Sequence, residues 1–292
     1  MELGVWDYAY LVKYLNLIFA CLAFVTNLIH LFFLTRNWRN CPDFVFFAII
    51  CISDIVYPFL LLIEKCMQII KYIDHKDCIG YINLIDIALK NLILLFELFC
   101  NQISNWILFL LAFLSLWNSK NRCLNFQKSL KYSIYCSIFF FLHVFSVFLF
   151  TFFIFLELPY SKCNSDGLYQ QFLAENPENF WVICTKTVSR VFSVFEIIRF
   201  LSFCVFPILL IKKKFGLIAK LVIFNLILEI SIMIVKLNFF VSENGIVTQS
   251  SSVLPVEMMQ FFQMIGSNFR PLIVLLYSPD YQKVVKQFFI IS

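Results

Sequence analysis

The sequence predicts an all-α membrane protein: a bundle of seven transmembrane helices, N-terminus outside, with a short amphipathic helix at the C-terminus. Three observations lead there. Mean hydropathy is +0.85, and 61% hydrophobic residues, 14% charged residues and 38 phenylalanines lie outside the range of soluble domains. Seven mainly apolar runs reach the roughly 20 residues that a helix needs to cross a bilayer. Basic residues crowd into alternate loops, the pattern that fixes topology in membranes.

The first run covers 9–34. The acidic, aromatic start MELGVWDYAY leads straight into it, so no cleaved signal is expected. Basic TRNWRN follows, then the second run, 44–64, with Asp54 inside it. After the mixed loop YIDHKDCIGY, the third run, 85–116, contains Glu97 and Asn101 and ends in basic NSKNRCLNFQKSLK. A fourth run, 132–156, carries His143, and a long mixed loop separates it from the fifth, 189–211. IKKKFG joins the fifth run to the sixth, 216–241, and SENGIVTQSSS joins the sixth to the seventh, 254–277, which holds Arg270. In the tail, 279–290, Tyr281, Val284, Val285, Phe288 and Phe289 recur at helical spacing opposite Lys283, Lys286 and Gln287, as in a helix lying on a membrane surface. The whole of 1–292 reads as one domain. With basic loops inside, the N-terminus faces out and the basic tail faces the cytoplasm.

Charge and cysteine usage exclude several classes. The net charge of +5 sits in short patches between spans, which explains orientation and gives no nucleic-acid face. Of eleven cysteines, Cys21, Cys51, Cys100, Cys136 and Cys204 fall inside apolar runs, where a thiol packs as a small hydrophobe. Cys78 precedes the third run, and Cys163 and Cys184 share the long loop on the oxidising side, so Cys78 is expected to bridge one of these two. Three histidines without an H-E-x-x-H, and no glycine-rich phosphate loop, leave neither a metal site nor a cofactor to propose and no enzymatic chemistry.

TNLIHLFFLTRNWRN followed by AIICISD resembles the first two helices of the nematode Srw class of serpentine receptors, relatives of FMRFamide-type neuropeptide receptors. Asn27, His30, Leu34, Thr35, Arg36 and Asp54 match in order and spacing. Ser104, Trp106 and Ala112 resemble the family's Ser-x-Trp-Leu-x-x-x-Met-Ala, and Ser278, Tyr281 and Val285 its exit from helix seven. Cys163 followed by Tyr169 resembles the family's second outer loop, which favours Cys163 over Cys184 as the partner of Cys78. Three departures stand out: Ser115 replaces the arginine that follows helix three's Met-Ala, helix six lacks its usual proline, and Arg270 replaces the residue before Pro271. They bear on G-protein coupling rather than on fold.

A charge at membrane depth costs about 2.5 to 3.5 kcal/mol or more and usually turns inward to a partner. Asn27 and His30 share one face at i, i+3, and Arg270 lies at a depth comparable with Asp54, so a bundle core of Asn27, His30, Asp54 and Arg270 with a buried Asp54–Arg270 pair is expected. Polar residues in the outer half mark a ligand pocket: Glu196, Arg199, Lys236, Glu257 and Gln260. Glu196 and Arg199 equally have the spacing of a pair that satisfies itself, and Lys236 that of a snorkelling interface residue. Ser115, Asn118, Lys120, Arg122 and the Lys212, Lys213, Lys214 run would face a heterotrimeric G protein or anionic lipid. The resemblance thus implies a plasma-membrane receptor for an extracellular small molecule or peptide. A seven-span channel or transporter subunit, or a receptor that no longer signals, are the alternatives; six glycines and no internal repeat count against a transporter.

Overall fold

The computed structural model describes residues 5–36, 43–74, 84–117, 126–157, 175–212, 215–243 and 253–291. Among them are eight helices: α1 (Val5–Arg36), α2 (Asp43–Asp74), α3 (Leu84–Trp117), α4 (Phe126–Glu157), α5 (Phe180–Lys212), α6 (Gly216–Glu243), α7 (Val253–Tyr277) and α8 (Pro279–Ile291). Stretches of Leu11–Arg36, Asp43–Met67, Leu95–Trp117, Lys128–Ile154, Phe180–Lys212 and Gly216–Val235 are each long and apolar enough to cross a membrane. α7 is not among these six, because Glu257, Gln260, Gln263, Asn268 and Arg270 dilute its apolar residues. It nevertheless packs on both α1 and α6, and so closes the ring of helices. A helix with helix neighbours on both sides can turn polar groups inward where a lipid-facing one cannot.

Consecutive helices pack on one another around the ring, and α3 runs through its middle, touching α2, α4, α5 and α6. The main core lies on this axis: Ile103, Ile107, Leu108 and Leu111 of α3 meet Phe46 and Phe47 of α2, Phe203 of α5 and Val222 of α6, all buried. Outward positions such as Ile18, Leu22, Val25 and Ile29 on α1, or Ile197, Ile198 and Leu201 on α5, are exposed, as expected of residues facing lipid.

Local signals set the helix ends. α5 begins at Phe180 rather than near 189 because Asn179 caps it, its Oδ1 accepting from the N–H groups of Trp181 at 2.9 Å and Val182 at 3.4 Å. Ser278 separates α7 from α8; its N–H donates to Val274 O at 2.9 Å and its Oγ accepts from Tyr281 N at 3.3 Å. This turn brings α8 back under the bundle. Tyr281 and Val284 are buried, Phe288 packs edge-on against Phe32 and Phe33, and Lys283 and Lys286 stay exposed. Burial pushes the Tyr281 phenol up, so it stays protonated, 2.7 Å from His30 Nδ1.

Candidate functional site

Arg270 Nη1 lies 2.6 Å from Asp54 Oδ1 and 2.8 Å from Oδ2, bridging both carboxylate oxygens, and both side chains are largely buried. Oδ1 also accepts from Ser104 Oγ and Ser267 Oγ, each at 3.2 Å. α2, α3 and α7 thus converge on a single carboxylate. Charge-assisted bonds of this kind are strong where water is excluded, and a planar guanidinium suits a carboxylate there.

The other arm of the guanidinium extends the network to α6. Arg270 Nη2 donates to Asn225 Oδ1 at 3.1 Å, and Asn225 Nδ2 donates to Asn105 Oδ1 and to Glu229 Oε1, both at 3.1 Å. Glu229 Oε1 also accepts from Arg199 Nη1 of α5, whose Nη2 donates to Glu196 Oε2. Glu196 Oε1 in turn accepts from Trp106 Nε1 on α3 at 2.9 Å, while the indole stacks on Phe140 at 4.8 Å. The polar groups form one chain across the bundle: Glu196, Arg199, Glu229, Asn225, Arg270, Asp54. Its charges alternate in sign, so each is compensated by a neighbour.

Close packing of α6 on α7 makes the link possible. At Gly266 a Cβ would sit 3.1 Å from Leu228 Cδ1 and 3.5 Å from Arg270 Nη2, so the missing side chain leaves room for the guanidinium to reach Asn225. Two small cavities flank Arg270. One, about 20 Å³, lies among Asn27, His30, Cys51, Asp54 and Val274; the other, about 30 Å³, lies among Tyr57, Cys100, Ser104, Asn225 and Gln263. Each has room for a water and little more. Asn27 ties α1 to α7 through its Nδ2, which donates to Ser267 O at 2.9 Å, and Cys51 Sγ lies 3.0 Å from Asn27 O.

The pocket residues picked out by sequence fall into two separate places. Glu196 and Arg199 belong to the chain just described. Glu257 belongs to a second cluster, paired with Lys65 of α2 at 2.6 Å and accepting from Asn16 Nδ2 of α1 at 2.8 Å. Gln260 is half-buried nearby, and the Lys236 side chain lies outside the described residues. Ser115 is buried near the end of α3, its Oγ donating to Leu111 O at 2.7 Å, and Lys212 is exposed at the end of α5. Asn118, Lys120, Arg122, Lys213, Lys214, Cys78 and Cys163 lie outside the described residues; Cys184 is a free, half-buried thiol. Glu229, Asn225, Lys65, Asn16 and Glu97 were missed. Glu229 was detectable, since a lone acid in LVIFNLILEISIMIV is the same anomaly as Asp54 in its own run.

A family model described as "Serpentine type 7TM GPCR chemoreceptor Srw" matches residues 14–214, the stretch from α1 through α5. No curated protein matches the chain.

Proposed function

Since the chain belongs to the Srw family of serpentine seven-transmembrane chemoreceptors, we propose that it is a plasma-membrane receptor, N-terminus outside, for an extracellular small molecule or peptide. Signalling by a heterotrimeric G protein is part of the proposal. The observation that carries it is the charge chain joining α2, α5, α6 and α7 through Asp54, Arg270, Asn225, Glu229 and Arg199. A network of this kind has discrete pairings rather than a continuum, so it supplies the bistable element that a receptor needs. A ligand that favours one pairing shifts the population toward it by its difference in affinity for the two states.

The cytoplasmic face in this reading is built from the end of α3, the α5–α6 link and α8. Ser115 takes part through a hydrogen bond turned back onto its own helix, and offers a partner none of the charge an arginine would. The test is a ligand screen in cells that reads both second messenger and G-protein dissociation, run beside Ser115→Arg. A ligand-dependent response in the unaltered chain, with raised basal signalling in Ser115→Arg, is the expected result. An N-terminal tag that only permeabilised cells reveal would overturn the topology and the receptor reading with it.

A further inference from the structure

The half of the bundle nearest the N-terminus of α1 holds a second polar cluster, and its hydrogen bonding is lopsided. Lys65 and Glu257 are paired and nearly fully buried. Asn16, wholly buried, spends its amide on the Glu257 carboxylate and on the Glu257 carbonyl at 2.9 Å, which leaves its Oδ1 with no donor among the described residues. Gln260 Oε1, less than a turn along α7 from Glu257, has none among them either. On α3, Glu97 is 7% exposed, feels the charges of Glu64 and Lys65, and has neither a hydrogen bond nor an ion pair among the described residues.

These three orphaned atoms are all acceptors. Of the charges that Glu97 feels, the one base, Lys65, is already paired with Glu257. Four other carboxylates of the bundle have a basic partner, Asp54 on Arg270, Glu196 and Glu229 on Arg199, Glu257 on Lys65. Buried polar groups in native proteins are satisfied, and buried charges are paired. A water could donate to one of these oxygens, but it brings no charge that would hold Glu97 ionised at this depth.

We propose that this half of the bundle binds an organic ammonium ion, with Glu97 as its counter-charge and the oxygens of Gln260 and Asn16 as further acceptors. A primary ammonium has three donors and one positive charge, matching the unpartnered oxygens of Gln260, Asn16 and Glu97. Its apolar body has a wall to lie on in Tyr57, Leu61, Cys100 and Met264, which pack together as a small cluster of their own. Cys100, which borders the 30 Å³ cavity, follows Glu97 by three residues and so shares its face of α3. The ligand class rests on the receptor reading, whereas the binding site does not.

The test uses the full chain in lipid nanodiscs, with methylammonium, benzylammonium and phenethylammonium as probes and benzyl alcohol as the uncharged shape control. At least one amine should raise the thermal unfolding midpoint saturably, while benzyl alcohol at the same concentration does not. Glu97→Gln should raise the half-saturating amine concentration about tenfold or more, as expected for losing a charged partner. Its unliganded midpoint should equal or exceed that of the unaltered chain, because it removes a buried carboxyl that has no basic partner among the described residues; a purely structural carboxyl would lower it. Glu97→Asp should keep part of the amine response. No shift with any of the three amines, or the same shift in Glu97→Gln, would overturn the proposal. Amine binding without signalling in cells would leave the site standing and remove the receptor reading; a ligand that signals equally through Glu97→Gln would do the reverse.

Discussion

Asp54 and Arg270 show what a single position can and cannot reveal. Each is visible in the sequence as a charge inside an apolar run, yet the Ser104 and Ser267 hydroxyls on Asp54, and the Asn225 carbonyl on Arg270, depend on the register between helices, which no local pattern encodes. Asp54→Asn or Arg270→Met strands the other charge and should cost about 3 to 5 kcal/mol, read as a large fall in surface expression and in unfolding midpoint. Asp54→Arg combined with Arg270→Asp should recover part of that loss. Arg270→Lys should behave nearly as badly as Arg270→Met, since an ammonium cannot reach Asp54 and Asn225 with a rigid fork. Trp106→Phe separates two roles: it keeps a ring on Phe140 and deletes the bond to Glu196, for an expected loss of about 1.5 to 3 kcal/mol in nanodisc unfolding, against more for Trp106→Ala.

At the level of elements, apolar runs locate the middles of the helices and polar caps locate their ends. The span starting near 189 is the case in point, because TKTV and the residues around it read as loop by hydropathy while Asn179 sets the true start of α5. Replacing Asn179 by alanine should cost about 1 kcal/mol and speed amide exchange over 180–183 only. Ser278→Ala should likewise loosen the first turn of α8, detectable as faster exchange at Tyr281 with little change in α7. The sequence reading of α7, 254–277, agrees within one residue with Val253–Tyr277, but only its packing on α1 and α6 shows where its polarity goes. At Gly266 a β-carbon meets the tip of Leu228 and the end of Arg270, both flexible, so Gly266→Ala should fold while Gly266→Val should mimic loss of Arg270 in expression assays.

Taken whole, the seven-helix plan was legible because it follows from composition, run length and alternating basic loops. How the helices meet was not, since nearly every helix carries an apolar surface that would suit several neighbours. Glu97 illustrates the gap: in sequence it is one more charge inside the third run, and its lack of a partner among the described residues emerges only when Asp54, Glu196, Glu229 and Glu257 are seen on their bases. The interlocked charges from Glu196 to Asp54 also constrain how such a chain can diverge. Losing Arg199 strands two acids, losing Glu229 takes an acceptor from both Arg199 and Asn225, and losing Arg270 unseats Asp54. Single substitutions along the chain therefore lead through poorly folding intermediates, and these positions are expected to change in matched sets or hardly at all.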